Sequence, residues 1–428
     1  MKPSQYNTFF EYEGSTIGFN AYSGEFIVID PILLDLYNVG VIKKDFSELS
    51  SLHKDFHDFL VRQGFLVELN VNEFERIREL SEKVDNDDSH FSLTVNPTMN
   101  CNFKCWYCYE THIKDSKMDE STISSTVNFA KQVIYNQPNL KSFTLSFFGG
   151  EPLLYFEKVI KPILAGVSSA CNQKQIQFNC GMTTNGLLIN QNILNYCKQY
   201  GLKHFQITLD GNRERHDKVR FISEGKGSYD RIVENIKLII QNQLFANVRI
   251  NCSAETMAEL NSIMDDFSLL RQNDRQFIHF DIHKVWQVVD KIENDINISR
   301  EFFRDSGFGV TSGSHDNVRN SCYADKRNHA TINYNGEVFK CTARDFKAGS
   351  GEGILEESGI ISWNEKHEKR LQSKFKNPPC MECKIFPICA GGCTQQAIEH
   401  EGVDYCVYGF DEELKKEQII NRFLATIS

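Results

Sequence analysis

Short apolar stretches alternate with amphipathic helical stretches through the middle of the chain, from Phe91 to Trp286. Strand patterns separated by helical ones indicate βα units and a parallel sheet. The pattern has fewer units than the eight that close a full barrel. It therefore predicts an α/β fold, a curved and open partial (β/α)6 TIM-like barrel. The predicted strands are Phe91–Val95, Lys141–Phe148, Gln175–Thr183, His204–Leu209, Asn247–Ala254 and Phe277–Val285.

Residues 1–70 show another pattern. Strand-like alternation over Phe9–Tyr12, Thr16–Asn20 and Phe26–Ile29 is followed by helical stretches that begin near Pro31 and His53. This order predicts a small winged-helix domain. Because an exposed strand edge can accept an extended peptide as an extra strand, we expect a peptide-recognition domain. A capping subdomain without a ligand is the alternative.

The boundaries of the other domains follow from changes in composition along the chain. Residues 71–90 form a charged helical linker that ends in a polar run, and we assign 91–309 to the barrel. From about Val310 the chain breaks into short pieces rich in Gly, Pro and Cys. Such a region, residues 310–410, is expected to be held by metal rather than by a large core. Residues 411–428 are predicted to form a C-terminal helix.

Composition excludes several classes of protein. The chain has 428 residues, 41% of them hydrophobic, and a net charge of −10, which argues against disorder and against nucleic acid as the main partner. The sequence shows no signal region and no apolar stretch of bilayer length, so we expect a cytoplasmic protein without membrane association. In a reducing compartment its 14 cysteines indicate metal or redox chemistry rather than disulfides.

Three cysteines after the first predicted barrel strand are the most informative feature. Cys101, Cys105 and Cys108 have the spacing Cys-x3-Cys-x2-Cys, which supplies three thiolates to a 4Fe-4S cluster and leaves one iron without a protein ligand. An open metal position favours chemistry over structure. A zinc knuckle or scattered core cysteines are the alternative. Four isolated cysteines are expected to be buried core thiols, namely Cys171, Cys180, Cys197 and Cys252.

This cysteine loop, together with Gly149-Gly150-Glu151-Pro152 after the second strand, resembles the radical S-adenosylmethionine (SAM) enzymes. The resemblance implies that the open iron binds the methionine moiety of SAM. It also implies reductive cleavage to a 5′-deoxyadenosyl radical that abstracts hydrogen from the substrate. Adjacent glycines let backbone approach a ligand, and Glu151 stands where it could meet the amine of the cofactor.

Polar residues near the ends of later strands follow the order of the same family. Arg249 could bind the cofactor carboxylate as a two-pronged donor, although turn formation or capping is an alternative role for each polar residue. Asp210, Arg344 and Asp345 are catalytic candidates from their positions alone. The residues expected at the cofactor are Tyr107, Gly149, Gly150, Glu151, Pro152, Thr183, Asn185, Thr208, Arg220 and Arg249.

The remaining cysteines resemble the SPASM extension, which binds auxiliary 4Fe-4S clusters. The resemblance implies three clusters in all, one at the barrel loop and two auxiliary. Zinc, or clusters with a purely structural role, are alternatives. One auxiliary cluster would be closed by Cys380, Cys383, Cys389 and Cys406, and the other would be held by Cys322, Cys341 and Cys393, with its fourth ligand undecided.

Together the three modules resemble maturases of ribosomally made peptides, which install thioether, carbon–carbon or ether crosslinks. The implied partners are a precursor peptide with a leader and a one-electron donor such as flavodoxin or ferredoxin. A sulfatase-type maturase that forms formylglycine is the nearest alternative. It is disfavoured by the long segment before Cys101 and by Thr342 after Cys341, although Asp345 is close. A non-catalytic iron–sulfur carrier or peptide-binding scaffold is disfavoured by the intact Cys101 loop.

Overall fold

The computed structural model describes residues 1–311 and 316–427. Two compact units make up this part of the chain. We call residues 88–311 and 328–367 the barrel unit, and residues 1–87, 316–327 and 368–427 the terminal unit, because the second contains both chain ends. The predicted segments 310–410 and 411–428 each include residues outside the described ranges.

The terminal unit begins with a three-stranded antiparallel sheet in the order β2-β3-β4 and a separate β1–β5 pair. Asp30 starts the first helix, because its carboxylate accepts the Ile32 N–H at 2.8 Å and Pro31 fits the first helical turn. The elements of this segment are β1 (Lys2–Pro3), β2 (Asn7–Tyr12), β3 (Ser15–Asn20), β4 (Glu25–Ile29), α1 (Pro31–Lys43), α2 (Ser47–Leu52), α3 (Lys54–Arg62), β5 (Leu66–Val67) and α4 (Glu73–Asp85).

The barrel unit contains an eleven-stranded sheet in the order β14-β13-β12-β9-β8-β7-β6-β15-β16-β17-β18. Strands β6, β7, β8, β9, β12 and β13 pair in parallel, so the predicted partial barrel is confirmed. The strands are β6 (His90–Val95), β7 (Ser142–Phe147), β8 (Gln177–Thr184), β9 (Leu202–Leu209), β10 (Phe221–Ser223), β11 (Lys226–Gly227), β12 (Phe245–Cys252), β13 (Ile278–Lys284), β14 (Gly309–Val310), β15 (His329–Ile332), β16 (Glu337–Phe339), β17 (Gly353–Leu355) and β18 (Ile361–Trp363).

Helices follow the barrel strands. The α-helices are α5 (Glu120–Asn136), α6 (Lys161–Lys174), α7 (Gln191–Gln199), α8 (Arg213–Val219), α9 (Tyr229–Gln241), α10 (Ala254–Met257), α11 (Ile263–Phe267) and α12 (Glu293–Asp305). A π-helical turn over Phe156–Ile160 precedes α6. Short 3-10 turns are Pro152–Tyr155, Leu260–Ser262, Gln272–Phe277 and Pro378–Cys380.

Buried apolar side chains alternate with partly buried polar ones along the barrel strands. Val248 and Ile250 of β12 are fully buried in the apolar core, whereas Arg249 and Asn251 between them are only partly buried. Because successive side chains point to opposite faces of a strand, the second face of the sheet is polar. The four isolated cysteines Cys171, Cys180, Cys197 and Cys252 are buried as expected.

The chain ends with short helices and one long one. These are α13 (Glu365–Leu371), α14 (Phe386–Cys389), α15 (Thr394–Glu399) and α16 (Glu412–Ile427). Phe423 of α16 contacts Phe10, Tyr12 and Phe26 of the N-terminal sheet, with ring centroids 5.2–5.8 Å apart. Residues from both ends of the chain therefore build one apolar core in the terminal unit. In the described part of the chain no helix is both long and apolar enough to cross a membrane.

Candidate cluster and cofactor site

The Cys101–Cys108 loop leaves the carboxyl end of β6, where parallel α/β sheets place their ligands. Phe103 is buried in the barrel core and anchors the loop. Its backbone N–H points to the Cys101 sulfur at 3.4 Å, and the Cys108 N–H donates to the Cys105 carbonyl at 3.1 Å. Backbone donors aimed at cysteine sulfurs are among the contacts that tune iron–sulfur clusters.

The surroundings of the three loop thiols keep them protonated in the absence of iron. Burial raises the pKa of Cys101 to about 12 and that of Cys108 to about 11, and it also raises the pKa of Cys105. Iron binding must therefore displace protons here. Among the described residues no group of three His, Cys, Asp or Glu side chains is arranged to hold one metal ion.

The two glycines after β7 are required by the cysteine loop itself. A Cβ on Gly150 would lie 2.3 Å from the Asn100 carbonyl oxygen, and one on Gly149, where φ is +97°, would lie 2.6 Å from that of Thr98. The Glu151 N–H also donates to the Asn100 carbonyl at 2.8 Å. The sequence predicted that the backbone of this turn comes close to a ligand. In the structure it comes close to the segment that enters the cysteine loop.

Glu151 is fully buried, and its carboxylate joins three parts of the barrel. It accepts the backbone N–H groups of Leu153 at 3.0 Å and Asn185 at 2.8 Å and the Thr184 hydroxyl at 2.7 Å. Burial raises the pKa of Glu151, while these donors act in the opposite direction. The side chain therefore braces the turn after β7, including buried Pro152, against the end of β8. A contact with the cofactor amine remains a prediction.

The end of β8 also reaches the cysteine loop. The Asn185 side chain donates to the Asn102 side-chain oxygen at 2.8 Å and accepts the Leu187 N–H at 3.0 Å. Thr183, the residue of β8 just before Thr184, is half-buried. Asn185 thus holds the cysteine loop, a role that its turn-forming sequence did not reveal.

Tyr107, Asp210 and Arg220 form one compact group beside the cysteines. The Tyr107 hydroxyl lies 2.7 Å from each Asp210 oxygen, and Arg220 contacts Asp210 at 2.7 Å and the Tyr107 oxygen at 2.6 Å. Asp210 and Arg220 are 1% and 8% exposed. Burial alone would lower the pKa of Arg220, but Asp210 and Tyr107 raise it well above its usual value. A permanent cation is therefore fixed next to the loop.

His216 lies beside this group and hydrogen-bonds to the Asp210 backbone and to Ser228. Its Nδ1 accepts the Asp210 backbone N–H at 3.2 Å, so in the neutral ring Nε2 carries the proton and faces the Ser228 hydroxyl at 3.0 Å. Ser228 in turn donates to the Arg220 carbonyl at 2.7 Å. Burial lowers the pKa of His216 to about 4. The neutral imidazole thus ties the backbones of Asp210 and Arg220 together.

Further polar side chains share a face of the sheet. Thr208 of β9, Arg249 of β12 and Asp281 of β13 occupy paired register positions on neighbouring parallel strands. Arg249 donates to Asn251 at 3.1 Å, and Asp281 lies 2.6 Å from His283. Sequence reasoning missed Asp281 and His283. Their alternation with buried Phe280 and Ile282 was the signal that could have found them.

The two candidates after Cys341 lie beside the residues that follow the cysteine loop. Asp345 accepts the Thr111 N–H at 2.8 Å and its hydroxyl at 2.6 Å. The Arg344 guanidinium lies 5.9 Å from the Trp286 ring, which stacks on Tyr109 at 5.7 Å. Asp345 is thus an anchor of the loop, whereas Asp210 is held by Tyr107 and Arg220. The catalytic roles of all three candidates remain predictions.

The terminal unit holds six of the predicted auxiliary ligands, and Cys341 belongs to the barrel unit. Cys380 accepts the Asn377 side-chain N–H at 3.0 Å. The charges of Cys383 and Cys406 both raise the pKa of Cys380, after the larger effect of burial. Cys383 and Cys380 act on the pKa of Cys389 in the same way. Cys380 and Cys383 also pack against the apolar core that contains Cys389. The assignment of these four cysteines to one cluster remains a prediction.

A buried charge network flanks the other two auxiliary ligands of this unit. Lys374 lies 2.6 Å from Asp85, 3.1 Å from Asp325 and 3.1 Å from the Ser321 hydroxyl. Asp325 also accepts the Thr394 hydroxyl at 2.5 Å. Ser321 precedes Cys322 and Thr394 follows Cys393. The network thus joins the two segments that carry these cysteines.

Comparison with known proteins agrees with this geometry. The profile of the Radical SAM superfamily matches residues 95–267, which span the cysteine loop, the turn after β7 and the Asp210 group. The chain carries a radical SAM domain. The radical SAM cyclopropyl synthase TigE of Paramaledivibacter caminithermalis is 22% identical over 85% of this chain and 80% of its own length. A cysteine-type anaerobic sulfatase-maturating enzyme of Clostridium novyi is 26% identical over 44% of this chain and 50% of its own.

Solved structures show the same fold. SuiB of Streptococcus suis superposes with a TM-score of 0.53 and 16% identity over 95% of this chain and 98% of its own. The enzyme anSMEcpe, solved with AdoMet and a peptide, gives a TM-score of 0.57 and 19% identity over 79% of this chain and 98% of its own. The chain therefore shares the fold of these two solved proteins, and its radical SAM domain lies within that fold.

Proposed function

We propose that this radical SAM enzyme oxidises a ribosomally made precursor peptide and installs a thioether, carbon–carbon or ether crosslink. The coverage of the SuiB likeness carries the proposal, because it extends over 95% of the chain. SuiB has been solved with its precursor peptide SuiA bound. Cys101, Cys105 and Cys108 would hold a 4Fe-4S cluster, which with bound SAM would provide the radical chemistry for hydrogen abstraction.

The residues around the cysteine loop would bind and orient the cofactor. Asp210 and Tyr107 hold the Arg220 guanidinium in one place, so it offers a preorganised cation to the SAM carboxylate. Arg249 is a second candidate for that carboxylate. Thr208 and Thr183, near the ends of adjacent strands, offer hydroxyls to the ribose. Asp345 anchors the cysteine loop through Thr111.

The leader would bind at the free edge of β4. Within the described residues β4 pairs with β3 alone, so its outer edge can accept another strand. Val28 in the middle of β4 is 72% exposed and Ile32 just beyond it is 72% exposed. An extended leader would thus gain main-chain hydrogen bonds and cover two apolar side chains.

The reaction would also need centres that carry electrons, both within the protein and on a partner. Two auxiliary 4Fe-4S clusters would be held by Cys380, Cys383, Cys389 and Cys406, and by Cys322, Cys341 and Cys393. A one-electron donor such as flavodoxin or ferredoxin would reduce the barrel cluster. An auxiliary cluster would accept the electron that the peptide radical loses when the new bond forms.

Cofactor cleavage tests the first step. Anaerobically reconstituted, reduced protein should convert SAM to 5′-deoxyadenosine, and Cys105→Ala should abolish the product. Cys197→Ala, which changes a buried core thiol of the same unit, is the matched control and should retain activity. Cleavage that survives in Cys105→Ala would contradict the assignment of this residue as a ligand.

Formylglycine formation is the second candidate, since sulfatase-maturating enzymes are among the relatives. The two reactions differ in product. A crosslinked peptide loses two hydrogens and does not react with carbonyl reagents, whereas formylglycine forms a hydrazone. Mass spectrometry of a candidate precursor peptide, before and after hydrazine treatment, separates the two. A hydrazone would overturn the crosslink proposal.

Leader binding is tested at the β4 edge. Val28→Asp places a charge where the leader would pack, and we expect about tenfold weaker binding, or about 1.4 kcal/mol, of the leader of that peptide. Leu69→Asp changes another exposed apolar residue, 68% accessible and outside this edge, and should not alter affinity. Fluorescence anisotropy measures both. Equal affinities for Val28→Asp and the unsubstituted chain would exclude β4 as the site.

A further inference from the structure

A histidine and an aspartate form a contact pair on the polar face of β13 in the barrel unit. The Nε2 atom of His283 lies 2.6 Å from an oxygen of the Asp281 carboxylate, a separation typical of a charge-assisted hydrogen bond. The Asp281 side chain is 14% exposed, whereas that of His283 is 37% exposed. The pair therefore has one buried member and one member that solvent or a substrate can reach.

Other side chains keep the carboxylate in place and ionised. Asp281 has the Thr311 side chain as a second hydrogen-bond partner, and the Thr311 hydroxyl oxygen lies 2.9 Å from Nε2 of His279. Burial raises the pKa of Asp281, but its hydrogen bonds and the charge of Arg249 outweigh burial and lower this pKa below its usual value. Asp281 is therefore a fixed anion beside His283.

This anion determines which nitrogen of the His283 ring is basic. A carboxylate only accepts hydrogen bonds, so in the neutral ring Nε2 carries the proton and Nδ1 carries the lone pair. Asp281 holds the ring in this tautomer and would stabilise the imidazolium that forms when Nδ1 takes up a proton, as the carboxylate does in a Ser-His-Asp triad. Arg249 of β12 and Arg300 of α12 also act on the Asp281 charge from neighbouring elements.

His283 lies at the end of β13 that is next to the cysteine loop. Gln287, shortly after β13, donates its side-chain N–H to the Tyr107 carbonyl of that loop at 2.8 Å. The strand order β13-β12-β9 places the end of β13 two strands from the end of β9, which Asp210 follows. Neighbouring strands are about 4.8 Å apart, so the two strand ends are about 10 Å apart. The polar face between them is wide enough for one peptide side chain.

We propose that His283 is the base that removes the proton from the peptide when the crosslink forms, and that Asp281 is a positioning residue for it. The inference rests on the proposed function. A peptide carbon loses its hydrogen atom to the 5′-deoxyadenosyl group, and an auxiliary cluster takes one electron. The new bond joins this carbon to a sulfur, oxygen or carbon atom of a second side chain, whose hydrogen leaves as the proton that Nδ1 of His283 accepts. The peptide thus loses two hydrogens, and the partly exposed imidazolium returns its proton to water.

The test measures two products of the full-length, reconstituted protein, namely 5′-deoxyadenosine and a candidate precursor peptide that is lighter by two hydrogens. His283→Gln should retain 5′-deoxyadenosine formation and lower the yield of crosslinked peptide per 5′-deoxyadenosine about 100-fold, which is the lower end of what a general base contributes. Asp281→Asn should lower the same yield by a smaller factor. His204→Gln is the matched control, because His204 begins the polar face on β9 and stacks on Phe245 with ring centroids 4.9 Å apart. Its yield should equal that of the unsubstituted protein.

Added imidazole separates proton transfer from packing. His283→Ala should recover crosslinking with imidazole but not with pyrazole, a ring of the same size and much weaker basicity, and Asp281→Asn should gain nothing from either. An unchanged yield in His283→Gln, or a His283→Ala variant that recovers equally with both rings or with neither, would overturn the role of His283. If the unsubstituted protein forms no 5′-deoxyadenosine or no peptide lighter by two hydrogens, the proposed function itself is refuted.

Discussion

The two units build their cysteine sites in different ways. In the barrel unit three cysteines share one loop of eight residues, 101–108, and the neighbouring strand ends brace that loop through Asn100, Glu151 and Asn185. In the terminal unit the cysteines come from distant segments joined by a shared core and a buried charge network. A local site can be recognised from spacing alone. A distributed site depends on long-range contacts that no short pattern contains.

The largest effect is expected in the terminal unit. Lys374→Met leaves Asp85 and Asp325 buried without their cation, and breaking a buried pair in this way costs about 3–5 kcal/mol. We expect that loss in denaturant unfolding, together with loss of iron from the Cys322 and Cys393 site. Lys369→Met is the control, because its pair with Glu401 is largely exposed and is worth under about 1 kcal/mol. If Lys374→Met and Lys369→Met lowered the free energy of unfolding equally, the network would not organise the distributed site.

Glu151→Ala probes the local site. The substitution removes the acceptor of three buried donors, from Leu153, Thr184 and Asn185, and should destabilise the barrel unit by about 3 kcal/mol. Iron at Cys101, Cys105 and Cys108 should fall while auxiliary iron persists. Glu157→Ala on the surface, where the side chain is 71% exposed, is the control. Parallel loss of all iron would contradict the independence of the two sites.

The effect of His216 is expected only as a pH dependence and is small near neutral pH. Its folded pKa of about 4 lies below the unfolded value of about 6.5, so the neutral ring contributes stability that is complete above about pH 6.5. That contribution is lost as the pH falls toward 4, by up to about 3 kcal/mol. Burial and Arg220 favour the neutral ring, whereas Asp210 and Asp217 oppose them.

The measurement for this prediction is a difference between two proteins. Free energies of unfolding of the unsubstituted chain and of His216→Gln are compared from pH 7 to pH 4, so that titrations common to both cancel. The gap should change across this window, and Tyr229, whose ring contacts His216 at 5.4 Å, should remain packed. A constant gap would mean that His216 titrates normally.

The sequence predicted the barrel because six strand patterns alternate with helices, and it predicted the cysteine loop because ligand spacing is local. It did not predict that Gly150 makes room for the Asn100 carbonyl, or that Asn185 holds Asn102. Those contacts join residues far apart in sequence. The sequence did not predict the role of His216 either, because the two hydrogen bonds of this side chain depend on how β9 and α8 meet.

The core shared by Phe10 and Phe423 affects the order in which parts of the chain fold during synthesis. Translation proceeds from the amino end and domains generally fold as units, so the N-terminal sheet must wait for the last helix to leave the ribosome. The six parallel strands β6, β7, β8, β9, β12 and β13 have all been synthesised once the chain reaches Lys284. On a chain stalled near residue 367 we therefore expect protease to cut the first segment while the barrel resists. Iron delivery to the distributed cysteines would then be a late event in the life of the molecule.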